Sequence, residues 1–201
     1  MEFIESIEEL EKIYGSPSDA ALNKVTSKMI SSYRAWIERS SFCVIASVGC
    51  EGTDVSPRGD DGQVVKILNE KTLALPDWKG NQRIDTLRNI IEDERVSLLF
   101  MVAGSNNVVR VNGQARITTD QELIESFKRN GTYPKTVVLV KVGEVYFQCA
   151  RALMRSNLWK SGDQSSGLPT PGSILDEITS GVFDGEAYDS SWPERYKKEL
   201  W

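Results

Sequence analysis

From Phe42 to Cys149 the chain is a succession of about six or seven short, β-branched runs, closely connected and with only short helices between them. FCVIASVG ends in Gly49, and Cys50-Glu51-Gly52-Thr53 reads as a hairpin turn. Asp54 to Arg58 resumes as a strand, in which Pro57 marks an edge, a bulge or the strand's end. Gly59-Asp60-Asp61-Gly62 turns the chain again. QVVKIL and TLALP then read as two strands joined by Asn69-Glu70-Lys71. VSLLFMV, NVVRVNGQARI and the long KTVVLVKVGEVYFQC complete the set. The helices predicted here are only 84–92 and 120–129, the second opened by a Thr119/Glu122 capping box and closed by Asn130-Gly131. The pattern therefore predicts a mainly β fold, a small barrel with peripheral helices, and not a doubly wound sheet.

The flanks have a helical period. Ile4, Ile7, Leu10 and Ile13 form one stripe, stopped by Tyr14-Gly15-Ser16-Pro17. Ser18 is a cap for a longer second helix with Leu22, Val25, Met29, Tyr33, Trp36 and Ile37 on one packing face. KSGDQSSGLPTPGS, 160–173, reads as a mobile loop. Beyond it, one or two short helices are expected, with Pro193 suited to a first turn. The expected organisation is one structural domain: N-terminal helices 1–40 packed on the barrel, the barrel 41–159, and a loop with short C-terminal helices 160–201.

Charge and composition remove several classes of function. The net charge of −5 argues against a nucleic-acid or anionic-membrane footprint. No apolar run approaches the roughly 18 residues of a membrane span, and MEFIESIEELEK is unlike a signal peptide. Cys43, Cys50 and Cys149 lack metal-ligand spacing and read as free thiols of a reducing, cytoplasmic compartment. The chain contains no histidine. That excludes Ser-His-Asp and Cys-His nucleophile systems and most zinc sites. Redox or group-transfer chemistry then falls to a cofactor.

Three stretches could hold one. In SPRGD, 56–60, Arg58 stands beside flexible Gly59 and Gly62; it reads as a planar phosphate donor or as a surface arginine paired with Asp60 or Asp61. In GNQRIDTLRNI, 80–90, Gly80, Asn81, Gln82 and Arg83 precede a helix that Asp85 can cap. This corner is either a structural turn or an anion site at a helix N-terminus. In QCARALMRSNLW, 148–159, Arg151 and Arg155 share a helical face, and Trp159 could stack on a planar ring or simply be buried. Lys66 reads as a barrel-rim residue. The absence of GxxxxGK[ST] and of a GxGxxG after a strand disfavours a nucleoside triphosphate or a Rossmann dinucleotide. A phosphorylated, planar cofactor accounts for all three clusters.

DVSPRGD, PDWKGNQRIDTLRNI, RVNGQA and RSNLW, taken in this order, resemble the FMN-binding split-barrel proteins related to pyridoxamine 5′-phosphate oxidase, in particular their branch of probable FMN-dependent enzymes of unknown substrate. The resemblance runs from about residue 8 to residue 159. It implies a six-stranded antiparallel split barrel that forms a homodimer with FMN between the subunits. It also implies that Arg58, Lys66, Asn81 and Arg83 contact the phosphate or ribityl chain, and that Ser56 and Pro57 lie beside the isoalloxazine. Arg151, Arg155, Ser156 and Trp159 would approach the ring or a small-molecule substrate, from the second subunit. The implied activity is FMN-dependent oxidoreduction; the alternatives are a flavin-binding or redox-sensing module, or a barrel holding haem or deazaflavin, with haem disfavoured by the missing histidine. Asp61-Gly62-Gln63-Val64, Trp78-Lys79 and Gln148 depart from the family's usual Pro-Gly-Phe-Val, Arg-Pro and His. The tail lacks the Arg-Leu-x-Pro ending of the vitamin B6 oxidases.

Overall fold

A computed structural model describes residues 1–199. The chain opens with three helices, α1 (Ile7–Tyr14), α2 (Asp19–Asn23) and α3 (Ser31–Arg39). Strands β1 (Phe42–Gly49), β2 (Gly52–Gly59), β3 (Lys66–Asn69) and β4 (Thr72–Asp77) follow. Then come α4 (Asp85–Glu92), β5 (Arg95–Met101), β6 (Val108–Thr118), α5 (Gln121–Ser126) and β7 (Thr136–Gln148). The chain ends with α6 (Arg151–Ser156), α7 (Pro171–Ile178) and α8 (Gly185–Glu199). None of the helices among the described residues is long and apolar enough to cross a membrane.

The strands form one antiparallel sheet in the order β2-β1-β5-β6-β7-β4-β3. Among the described residues the sheet has seven strands, the seven runs read in the sequence, where the family resemblance implied six. The third run, QVVKIL, is shorter than read. Val64 and Val65 sink into the core instead of pairing, and only Lys66–Asn69 remains as a short edge strand. The sheet curls around one apolar cluster containing Ile45, Leu73, Leu75, Leu98, Phe100, Val111 and Val140, closed at one end by Tyr33 and Ile37 of α3. Fully burying side chains of this size contributes about 1.5–3 kcal/mol each. A smaller cluster on the other face joins Ala74, Val137, Ile124 and Phe127.

Two local features hold the curl. Gly113 sits at the β6–β7 bulge, where an added Cβ would lie 2.1 Å from the Lys141 carbonyl oxygen. Beside it Asn112 accepts from Ser97 Oγ at 2.5 Å and donates to Glu144 Oε1 at 2.6 Å. The RVNGQA stretch is thus a joint between three strands.

The expected second helix is broken. Helix α2 ends at Asn23, because Thr26 exchanges backbone hydrogen bonds with Val145 of β7. Met29, Tyr33 and Ile37 are buried as the stripe requires, but Leu22 and Val25 are exposed. Helix α5 is also shorter than expected. Asp120 caps it through Leu123 N at 2.8 Å in place of Thr119, and Phe127 leaves the helix to enter the smaller cluster.

Candidate functional site

The sheet never closes into a full barrel. Strand β3 covers β4 only from Thr72 to Ala74, leaving Leu75–Asp77 without a neighbour on that side. Strand β2 is the opposite edge. A cavity of about 1000 Å³ opens between them, lined by 54–61 of β2 and its turn, 75–77 of β4 and the corner 78–87.

On β2 Asp54, Ser56 and Arg58 are half-buried and Val55 and Pro57 exposed, and all five line the cavity. Arg58 crosses the split to Asp77 Oδ1, 2.5 Å from Nη1. Both side chains are largely buried, at 20% and 15% exposure. Its Nε is buried with no partner, so only one of the five guanidinium N–H donors is committed among the described residues. Asp60 is the second clasp. Its side chain is 2% exposed and accepts from Trp78 Nε1 at 3.1 Å and from Arg129 Nε at 3.2 Å. Arg58 therefore pairs with neither Asp60 nor Asp61, the two surface partners the sequence offered.

The corner is sterically unusual. Gln82 and Ile84 both have positive φ, 64° and 55°. For a β-branched residue such as Ile84 that is a genuine outlier. Such strain of order 1–3 kcal/mol persists where the surroundings impose it and clusters at ligand sites. Asn81 Oδ1 accepts from Arg83 N at 3.1 Å and sets the turn. Arg83 is 75% exposed and reaches Asp85 Oδ2 at 2.8 Å. A Cβ on Gly80 would meet no atom within 4 Å.

Asp85 does not cap α4: its N-cap is Ile84, which has no side-chain hydrogen bond to offer. The first N–H groups of this eight-residue helix, whose leading residues line the cavity, therefore have no side-chain cap. Two contacts aim that helix. Thr86 Oγ1 donates to Asp54 Oδ2 at 2.5 Å, and Asn89 Nδ2 donates to Ser47 Oγ at 3.2 Å. Gly49 lets α4 lie close, with its absent Cβ 2.4 Å from Asn89 Oδ1.

The structure thus gathers Ser56, Pro57, Arg58, Asn81 and Arg83 around one cavity. Lys66 lies elsewhere. Its ammonium donates to the Ser126 carbonyl and sits 4.6 Å from the Phe127 ring centroid. Burial, and then the charge of Arg129, push its pKa down. Arg151, Arg155, Ser156 and Trp159 also stand apart. Trp159 Nε1 donates to Ser105 O at 2.7 Å and Ser156 Oγ to Leu153 O at 3.0 Å. The row of paired residues that starts at Arg58 passes through Cys43, Phe100 and Val109 to Phe147. That is four strand spacings, about 19 Å measured along the sheet. The sequence did not single out Asp54, Asp77, Thr86, Lys135 or Tyr196, which also line the cavity. Asp77 had a signal, a carboxylate at a strand end beside Pro76; Tyr196 had none.

The family's sequence model, described as pyridoxamine 5′-phosphate oxidase, matches residues 29–149. The match covers more than half of the chain, which belongs to this family. No curated protein matches it. Among solved structures, HupZ of Group A Streptococcus is similar at 19% identity over 58% of this chain and 92% of its own, with a TM-score of 0.47. General Stress Protein 26 from Bacillus anthracis is 16% identical over 57% and 88%, with a TM-score of 0.42. An FMN-binding protein from Syntrophomonas wolfei is 10% identical over 71% and 97%, with a TM-score of 0.45.

Proposed function

We propose that the cavity in the split binds FMN and that the protein is an FMN-dependent oxidoreductase acting on a small molecule. The observation that carries this reading is that a largely buried Arg58 with an unpartnered Nε and the N-terminus of α4, which has no side-chain cap, line one cavity. Both supply hydrogen-bond donors and positive potential, and a phosphate is the common ligand of such donors. The size suits a flavin nucleotide, at the upper end of the usual range of about 300–1000 Å³ for ligand pockets. Family membership is the second support.

In this reading Arg58, Arg83, Asn81 and the first amides of α4 hold the phosphate and ribityl chain. Ser56 and Pro57 line the ring. Bound FMN would supply two-electron redox chemistry. Lys66 backs the β3 rim and does not touch the ligand. Arg151, Arg155, Ser156 and Trp159 reach the ring from a second copy of the chain. Their distance from Arg58 along the sheet favours that arrangement, as do the half-buried Val44, Ala46 and Leu99 on the outer sheet face.

Purified protein titrated with FMN, followed by its visible spectrum, tests the proposal. Saturable binding with a perturbed flavin spectrum is expected, and oxidation of a reduced nicotinamide by the loaded protein would mark it as an enzyme rather than a carrier. Protein that fails to bind FMN at any attainable concentration overturns it; a Soret band would assign the barrel to haem.

A further inference from the structure

One residue of the cavity lining, Tyr196 of α8, comes from outside the barrel. The α7–α8 hairpin that carries this residue is a built unit. Gly172 and Gly185 pack backbone to backbone, with a Cβ on Gly172 falling 2.2 Å from the Gly185 oxygen. Asp189 accepts from Gly172 N at 2.9 Å and, through its other oxygen, from Thr170 Oγ1. Along α8, Tyr188, Trp192 and Tyr196 recur every four residues and so share one face. Their ring centroids lie 6.3 and 6.2 Å apart, with tilts of 34° and 35°. Phe183 meets Tyr188 edge-on at 5.6 Å. The Arg195 guanidinium lies 4.2 Å from the Tyr188 centroid and 5.1 Å from that of Trp192. The ladder is therefore anchored in the hairpin at one end. At the other its last ring is 53% exposed at the cavity.

The rest of the lining is mostly charged or polar: Asp54, Arg58, Asp77, Asn81 and Arg83 among others. Those groups suit a phosphate and a polyol chain. An exposed aromatic face suits a planar ring, stacked offset or edge-to-face. We propose that Tyr196 is a ring-stacking residue of this site, supplied by the C-terminal hairpin, and that it selects a planar aromatic ligand whose phosphate lies at the α4 corner. This rests on the flavin reading above. The hairpin then acts as a specificity element appended to the barrel.

Flavin fluorescence separates the two ideas. Wild type, Tyr196→Leu, Tyr196→Phe and Arg83→Ala are titrated with FMN and with riboflavin, and circular dichroism checks that α8 persists. A stacked tyrosine quenches flavin emission. Tyr196→Leu is expected to weaken FMN and riboflavin by the same factor, roughly two- to tenfold, and to brighten the bound flavin. Tyr196→Phe keeps the affinity. Arg83→Ala weakens FMN alone, because riboflavin has no phosphate. If Tyr196→Leu binds FMN with wild-type affinity and wild-type quenching while Arg83→Ala weakens it, the flavin reading stands and the role of Tyr196 is overturned. Wild-type protein that binds neither ligand overturns both.

Discussion

Arg58 and Arg83 line the same cavity with different commitments. Arg58 is mostly buried and ties the split to Asp77. Arg58→Ala leaves that carboxylate buried and unpaired, so it is expected to cost about 1–3 kcal/mol of stability as well as FMN affinity. Arg83 is exposed and bonds to its neighbour Asp85. Arg83→Ala is expected to leave urea stability unchanged and to weaken FMN by about 1–3 kcal/mol. Isothermal titration beside a denaturation curve distinguishes the pair; equal effects of both substitutions on stability contradict it. The thiols follow the same logic of surroundings. Burial pushes Cys43 up to about 12, against the smaller opposing pull of Arg58. The hydrogen bond and charge of Glu92 raise Cys50, which stays exposed. A raised thiol pKa means less thiolate at neutral pH. Native-state alkylation at pH 8, read by mass spectrometry, should modify Cys149 first and spare Cys43 until the protein unfolds. The sequence singled out Arg58 and Arg83 because guanidinium groups stand out in an acidic chain, and both line the cavity. It did not identify Asp77, because a carboxylate at a strand end is ordinary until its partner across the split is known.

Helix α4 is the element that turns those side chains into a site. Its position depends on Gly49, on Asn89 reaching Ser47, and on Thr86 reaching Asp54. Strand β6 depends on Gly113 in a harsher way. The Cβ that alanine would add at Gly113 meets a backbone oxygen, whereas at Gly49 it meets the ends of the Asn89 and Glu92 side chains, which can swing away. Gly113→Ala is therefore expected to lose about 1–3 kcal/mol or more in urea denaturation, and Gly49→Ala less. A reversed order would place the main constraint in α4 and not in the bulge. Local periodicity was enough to read α4 and most strands, since alternation and short loops leave few alternatives. It failed where a distant partner intervened. Thr26 stops the second helix by bonding to Val145, and no local signal encodes that contact. Asp120 captured the α5 cap from Thr119 one residue away, a competition between two adequate acceptors.

At the level of the molecule, a ligand held in the split links the two ends of the sheet. FMN that binds only the native state raises its stability by mass action, about 2.7 kcal/mol at one hundred times the dissociation constant. A thermal melt with and without FMN is expected to show that rise, and the rise should shrink in Arg58→Ala. The mainly β character of the curled sheet was legible, because short β-branched runs are separated by short connections with only two short helices among them. The location of the opening was not. It arises from the brevity of β3, and that in turn from Val64 and Val65 preferring the interior to a ladder. The same brevity bears on how these molecules tolerate crowding. An open sheet offers two rims to neighbouring chains, and unprotected rims seed fibrils. Here one rim is only four residues long, and the other carries Pro57, whose missing amide hydrogen denies an incoming strand a handhold. The gap in the sheet is thus flanked by borders unsuited to self-templating.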